Sequence, residues 1–489
     1  MSSYGGKILK GAGIVFLMSV FSAISSFVVK IILSRFFDVS EVGLFFAVLT
    51  TVNLFFIFKD MGMGKTVQRY LPMYISSKDT QKASFLCTFV IFFSIASSLV
   101  FGSIILLFSD LLAESYFKDN LATSLILIFV VYLILTKLLL IVSNIYLSLH
   151  EVFVAKFLLA LKEILAPILL LFFFGHGILG AGYAYILGTA LCIPIALYYF
   201  PKEFLLHKFT MQWTEIKKYI KFGLPLVFAE LVVKPGKYFD IIFLTAFTSL
   251  GEVGIYSLVY YLPLATLRIS NAFANVLMPR ISQMETENFQ GIRSIFQGIT
   301  HHVSWTIVAC SIVFISFSRE IIEIAYGLDY VSGYMVMTIV STSLVFQGIS
   351  VLNISALNGL GYSGKVGKIL GISSVLNILL NAILIPLTGI EGAATATALQ
   401  YAITFFLTQH QLKAQTKIEL DWNSFIKLIF VAVITVASII FMKGFLNGLF
   451  GMGLSLIIGG TIYVIVSSIL KIVDIKDLYT RIRKMISRT

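Results

Sequence analysis

EVGLFFAVL, residues 41–49, returns 211 residues later as EVGIYSLVY, residues 252–260. GILGAGYAYILGTA, from Gly177, returns 212 residues later as GIEGAATATALQYA, from Gly389. Between these anchors SNIYLSL, from Ser143, aligns with LNISAL, from Leu352, at an offset of 209 that also brings Lys156 onto Lys365. Three nearly equal offsets mark a chain written twice. Each copy holds six long apolar runs. An even number brings the second copy into the membrane with the same orientation as the first, so the repeats are parallel, related by an axis along the membrane normal. The expected fold is an all-α integral membrane protein of about 14 transmembrane helices: two parallel-repeat six-helix bundles around a central cavity, plus two C-terminal helices. Residues 1–209 would form the first lobe with the start of a cytoplasmic linker, 210–420 the second lobe, and 421–489 two further helices and a basic cytoplasmic tail.

Composition requires the membrane. Of 489 residues 58% are hydrophobic and only 12% charged, at a mean hydropathy of +0.96, far from the balance of a water-soluble domain. Fourteen runs are long enough to cross about 30 Å of hydrocarbon as helices. They cover residues 8–34, 41–59, 83–108, 121–148, 153–174, 178–199, 222–248, 254–277, 299–318, 333–357, 369–387, 390–409, 425–443 and 449–470. A β-barrel would show short alternating strands, whereas these runs are continuously apolar.

The formal net charge of +12 follows the membrane rather than a nucleic acid. With the N-terminus in the cytoplasm, most Lys and Arg fall on inward-facing segments, and only Arg35, Lys118, Arg319 and Lys443 face outward. This is the positive-inside pattern and places both termini in the cytoplasm. The tail from Lys471, with Arg483, Lys484 and Arg488, suits anionic headgroups. Lys7 and Lys10 precede a run too long for a cleaved signal, so a retained first helix is expected. Cys87, Cys192 and Cys310 lie in apolar runs without pairing or metal spacing and read as small core residues.

Charged side chains at mid-bilayer cost about 2.5 kcal/mol or more, so they turn to protein or to a wet cavity. Inside the runs Lys30, Lys137, Lys162, Lys234, Lys237 and Arg268 outnumber Glu163, Glu230 and Asp240. AELVVKPGKYFD, residues 229–240, concentrates four of them. On a helix Glu230, Lys234 and Lys237 share one face, with Asp240 in reach, and Pro235 opens the backbone beside Lys234. One reading is two internal ion pairs; the other is a polar wall whose pairs re-form around an anionic headgroup. On the second reading Lys30, Lys137, Lys234, Lys237 and Arg268 would bind phosphate by charge-assisted hydrogen bonds. Lys30 and Arg268 would clamp one phosphate, or else snorkel to an interface. Glu230 or Asp240 would bind the coupling ion, H+ or Na+. Lys162 and Glu163 point about 100° apart on their helix and are not expected to pair.

Asn53, Asn144, Asn271, Asn275, Asn377 and Asn381 carry amides inside runs, which most often bond between helices. Asn271 and Asn275, one turn apart beside Arg268, are the candidates for sugar hydroxyls. Phe exceeds Tyr and Trp, 44 against 22 and 3, which suits lipid and core contact better than sugar stacking. GMGK, residues 62–65, lacks the first glycine of a phosphate loop and reads as a turn. The histidines are isolated or, at His301 and His302, too sparse for a metal; no Ser, His and acid arrangement is legible. No enzyme activity, cofactor, metal or nucleic-acid partner is expected.

FFDVSEVGLFFAVLTTVNLFFIFKDMGMGKTVQRYLP, YFDIIFLTAFTSLGEVGIYSLVYYLPL and NGLGYSGKVGKILGISSVLNILLNAILIPLTGIEGAATATAL resemble the polysaccharide-transport family of Wzx-type lipid-linked oligosaccharide flippases. That family belongs to the multidrug/oligosaccharidyl-lipid/polysaccharide exporter superfamily. The resemblance covers about residues 8–420. It implies two six-helix bundles in a V, and alternating-access transfer of a polyprenyl- or dolichyl-(di)phosphate-linked oligosaccharide from the cytoplasmic to the outer leaflet of the cell membrane. Membrane lipids and glycan-assembly enzymes are the partners it implies. The alternative is an ion-coupled multidrug or organic-cation antiporter of the same superfamily, whose pocket should be lined by carboxylates and aromatics; the positive excess opposes it. A membrane glycosyltransferase would need a large loop with acidic ligands, and the loops here are short and basic. A scaffold would have no use for ionisable groups in the bilayer.

Overall fold

A computed structural model describes residues 2–57, 61–200, 213–233, 238–283, 289–416, 418–445 and 448–472, with side chains from residue 18 onward except at 227–233, 289–290 and 449. Among the described residues the structure is helical throughout and contains no strand. Among the described residues nine helical segments are long and apolar enough to cross a membrane. A tenth is added if Leu250–Leu264 and Leu267–Gln283, bent by 47°, count as one span. The protein is a multi-pass membrane protein. Its large exposed side chains, such as Phe92, Leu107, Phe172 and Phe450, are those a hydrocarbon solvent accepts.

The chain forms two compact units, Met1–Ile255 and Tyr256–Thr489. Unit 1 comprises α1 (Ser2–Phe36), α2 (Val39–Phe55), α3 (Met63–Ser76), α4 (Thr80–Leu107), α5 (Leu121–Ser148), α6 (Val152–Phe173), α7 (Gly177–Tyr198), α8 (Trp213–Val233), α9 (Phe239–Phe247) and the start of α10 (Leu250–Val259). Unit 2 continues with α11 (Leu267–Gln283), α12 (Phe289–Ser316), α13 (Ser318–Tyr326), α14 (Tyr334–Gly359), α15 (Ser363–Thr416), α16 (Trp422–Lys443) and α17 (Gly448–Ile469). The compact units divide later than the sequence repeats, because α8 packs on α3 and α9 packs on α2.

Repeated sequence gives repeated local structure. At the start of α2 the Glu41 carboxylate accepts from the Asp38 backbone N–H at 3.3 Å. At the start of α10 Glu252 accepts from Ser249 N–H at 3.3 Å, and Ser249 Oγ returns the bond to Glu252 N–H at 3.3 Å. These are equivalent capping boxes, each satisfying N–H groups that a helix start leaves orphaned. The second anchor behaves the same way. Gly177 and Gly389 both break a long helical segment with left-handed backbone, at φ 62° and 60°, a conformation that glycine adopts without steric cost. Two of the expected runs meet at each break, within Val152–Tyr198 and within Ser363–Thr416. Within the expected run at 222–248 the described residues include the end of α8, up to Val233, and α9, from Phe239.

The equivalent glycines of the first anchor touch. A Cβ on Gly43 would lie 1.7 Å from the Leu250 carbonyl oxygen, and one on Gly254 would lie 2.2 Å from the Val39 carbonyl oxygen. The contact is reciprocal, since Val39 and Leu250 are themselves equivalent. Just beyond the other end of α2, Gly62 has φ 74° and meets Gly223 of α8: a Cβ on Gly223 would lie 2.3 Å from the Met61 carbonyl oxygen. Of GMGK, expected to be a turn, only Gly62 lies in one, where it caps α3; Met63, Gly64 and Lys65 already belong to that helix. The turn at Ala113–Phe117 is tied to α9 by Tyr116, whose hydroxyl donates to Ile242 O at 2.7 Å.

Unit 2 is held by α14 packed between α11, α12 and α15. Ser355 Oγ donates to Ala274 O at 2.6 Å, and Asn353 donates to Thr408 Oγ1 at 3.1 Å. α17 joins through Tyr463, donating to Trp305 O at 2.7 Å, and Trp305, donating to Ser467 Oγ at 3.2 Å.

Candidate functional site

Four helices of unit 1, α1, α5, α6 and α7, surround a cationic and aromatic node. Lys162 of α6 pairs with Glu163 Oε1 at 3.1 Å and donates to the Tyr132 hydroxyl of α5 at 3.1 Å. The Lys162 side chain is 12% exposed and that of Glu163 33%. This corrects the expectation that the neighbours would not pair. Their Cα–Cβ bonds do diverge, but the four-carbon lysine stem lets the ammonium swing back, and Tyr132 fixes it there.

From Tyr132 an aromatic wall runs to α2. The Tyr132 and Tyr185 rings meet at 5.3 Å, Tyr185 and Phe45 at 5.7 Å, and Phe45 and Phe46 at 5.4 Å. Lys30 of α1 stands 5.8 Å over Phe46, a cation–π approach that favours the ammonium next to the ring. Lys30 thus points toward α2. The sequence singled out Lys30 and left Tyr132 and Tyr185 unmarked. No spacing links residues on three different helices, and only the signal of a lysine within an apolar run pointed here.

The other expected site residues are spread. Lys137 of α5 is 3% exposed, among the helices of unit 1. Asp240 is 4% exposed in the first turn of α9, where a helix N-terminus favours a carboxylate. Lys234 and Lys237 lie outside the described residues, as does the side chain of Glu230. Arg268, Asn271 and Asn275 lie on α11 in unit 2 and are exposed. The Asn271 amide donates to Leu267 O of its own helix at 2.9 Å. Of the remaining amides, Asn53 bonds its own helix at Leu49 O and Asn381 donates to Asn377. Asn144 accepts from Gln68 of α3 at 3.0 Å. No group of three or more His, Cys, Asp or Glu is placed to hold a metal ion among the described residues.

Outside the apolar runs, α3 and α8 share a second polar cluster that the sequence did not mark. Tyr74 donates to Glu215 at 2.7 Å, Lys218 donates to Tyr74 at 3.0 Å and pairs with Glu215 at 3.1 Å, and Tyr219 donates to Tyr74 at 3.2 Å. Lys218 also covers the Tyr70 ring at 4.7 Å. Burial alone would push the Glu215 carboxyl up. The hydrogen bonds from Tyr74 and Lys218, with the Lys218 charge, outweigh it and hold the carboxyl below its usual range. Burial also raises the Tyr74 hydroxyl. A depressed carboxyl contributes stability above its unfolded pKa of about 4.3, and that stability is lost as pH falls through the folded value. Protection of α8 amides, taken relative to their intrinsic exchange rates, should therefore hold at neutral pH and fall below about pH 4. Tyr74→Phe leaves Glu215 and Tyr219 each short of a partner and should cost about 1–3 kcal/mol. Equal exchange in the variant and the parent would rule the cluster out as the tie between α3 and α8.

Unit 2 carries two cavities. One, of about 260 Å³, has a mixed lining in which Phe296, Leu420 and Phe425 stand beside His301, His302 and Asp421. The other, of about 430 Å³, is a groove between α12, α14 and α16 walled by residues such as Ile312, Val345, Val433 and Ile440. Hydrocarbon walls of this kind accept an alkyl or prenyl chain and offer little to a sugar.

A family model described as polysaccharide biosynthesis protein matches residues 8–285. An uncharacterized membrane protein of Methanocaldococcus jannaschii is 23% identical over 99% of this chain and 100% of its own length. A probable low-salt glycan biosynthesis flippase of Haloferax volcanii is 29% identical over 45% of this chain and 46% of its own. Among solved structures, the lipid II flippase MurJ in an inward closed conformation superposes with TM-score 0.80 at 17% identity, covering 95% of this chain and 99% of that one. An inward-facing multidrug resistance MATE family transporter of the MOP superfamily gives 0.65 at 16% identity, covering 81% and 96%. At such identities the likeness is one of fold.

Proposed function

Because the chain belongs to the polysaccharide biosynthesis protein family, we propose that it is a flippase. It moves a polyprenyl- or dolichyl-(di)phosphate-linked oligosaccharide from the cytoplasmic to the outer leaflet of the cell membrane by alternating access, and performs no covalent chemistry. The observation that carries this reading is the cationic excess within apolar helices, with Lys30 and Lys162 set into one aromatic-walled node of unit 1. Such a wall attracts an anionic headgroup and repels an organic cation, which disfavours the antiporter reading. The Haloferax relative and the MurJ-like fold support the same class of cargo, and the groove in unit 2 suits a prenyl chain.

Both termini face the cytoplasm in this reading, with membrane lipids and glycan-assembly enzymes as partners. Lys30, Lys137, Lys234, Lys237 and Arg268 serve the phosphates, and Asn271 and Asn275 the sugar. Asp240 and Glu230 answer to an H+ or Na+ gradient through differential affinity in the two states. The deciding experiment is leaflet exchange in vesicles that contain only this chain. Dolichyl-diphosphate N-acetylglucosamine should cross at least about tenfold faster than in empty vesicles, and Lys30→Ala should remove most of the gain, a charged contact being worth about 1.5–3 kcal/mol. Transport of a lipophilic cation without any lipid-linked sugar exchange would overturn the proposal.

A further inference from the structure

Glu163 is the one carboxylate carried by the four helices α1, α5, α6 and α7, against Lys10, Lys30, Lys137, Lys156 and Lys162 within their apolar stretches. It pairs with Lys162 at 3.1 Å, and the same ammonium reaches Tyr132 at 3.1 Å. Tyr132 of α5 bonds this pair, and Tyr185 and Cys192 of α7 lie near it; Lys137 of α5 and Lys30 of α1 are charged groups within the apolar runs of the helices packed around it. None of them is a second carboxylate that could stand in for Glu163. Resting on the flippase reading, we propose that Lys162 and Glu163 form an exchange site. Lys162 leaves Glu163 for the lipid-linked (di)phosphate, and Glu163 takes up one proton from water in its place.

The physics is that of a buried pair deprived of one member. A carboxylate in low dielectric, stripped of its counter-ion and given an anionic neighbour, is strongly disfavoured, whereas the neutral acid is tolerated. Proton uptake restores the charge that the headgroup takes away. Glu163 is suited to the exchange because a third of its side chain remains accessible while Lys162 is nearly enclosed. Tyr132 keeps the ammonium oriented during the transfer through a bond that does not depend on Glu163. One proton is thereby bound with each lipid, and a proton gradient gains a handle on the loaded state. This is separate from any role of Asp240, which lies on α9.

The test is proton uptake on mixing the purified chain with dolichyl-diphosphate N-acetylglucosamine in weakly buffered detergent solution, with dolichol as the uncharged control. The diphosphate diester stays ionised near neutral pH, so any uptake belongs to the protein. The parent should take up close to one proton per lipid bound, and its affinity should rise about tenfold for each pH unit lowered across that window. Glu163→Gln, nearly isosteric, should bind the lipid at least as tightly, with no uptake and no pH dependence. Lys162→Met should lose binding about tenfold or more. Should Lys162→Met fail to fold, Glu163→Gln alone decides. Tight binding by the parent without proton uptake, or uptake that persists in Glu163→Gln, overturns the exchange and leaves the flippase reading intact. No binding of the lipid-linked sugar and no leaflet exchange would remove that reading itself.

Discussion

Gly43→Val should stop transport almost completely while leaving the protein folded in the membrane. The Cβ alone would sit 1.7 Å from the Leu250 carbonyl oxygen, and a backbone oxygen cannot rotate away as a side chain can. Overpacking of a tight contact costs about 1–3 kcal/mol, and a backbone clash belongs at the upper end. At about 1.4 kcal/mol per factor of ten, the conformation in which α2 meets α10 loses about 100-fold in population. Gly254→Val strikes the same contact from the other repeat, so the double variant should be little worse than either single one. The measurement is lipid-linked sugar exchange, together with labelling of Val39→Cys by a membrane-impermeant thiol reagent in a chain whose native cysteines have been replaced. Labelling should rise in both glycine variants. Normal transport with unchanged labelling would show that the contact is incidental to the cycle.

Gly223→Val should open the opposite end of α2. Its Cβ would lie 2.3 Å from the Met61 carbonyl oxygen, next to Gly62 at φ 74°, a backbone that cannot be changed to accommodate it without strain. The expected result is again a loss of transport by about 100-fold on the same scale, but with the accessibility reversed. Labelling should rise at Met61→Cys and not at Val39→Cys. Reagent applied from opposite sides of the membrane then distinguishes the two variants. Two substitutions with the same deficit and opposite labelling are what a two-ended transporter requires, since a state is populated only by its free energy relative to the other. If both variants opened the same end, α2 would not be acting as the element that both closures share.

The polar tie between α3 and α8 lies on the Gly62 side of α2, where Tyr74, Glu215, Lys218 and Tyr219 bond to one another. It and the glycine contact resist the same separation. Gly223→Val should therefore also accelerate hydrogen exchange across α8, as Tyr74→Phe does, whereas Gly43→Val should not.

Sequence alone determined that the chain is a helical membrane protein, that stretches of it repeat, and that helices break at 177 and 389. Those depend on local properties: continuous apolar runs that only a helix can carry through hydrocarbon, glycines where the backbone turns left-handed at 177 and 389, and Glu41 and Glu252 three residues after their caps. Each can be read along the chain because its cause lies within a few residues. The tertiary structure decided which charges meet. Lys162, Glu163 and Tyr132 come together because two helices set their register and a flexible lysine stem closes the last few ångströms, and Glu215 finds Tyr74 across 141 residues. It also placed α8 and α9 with the first unit although their sequence belongs to the second repeat. Packing follows the surfaces that neighbouring helices present in three dimensions, and those are not written in the order of the residues.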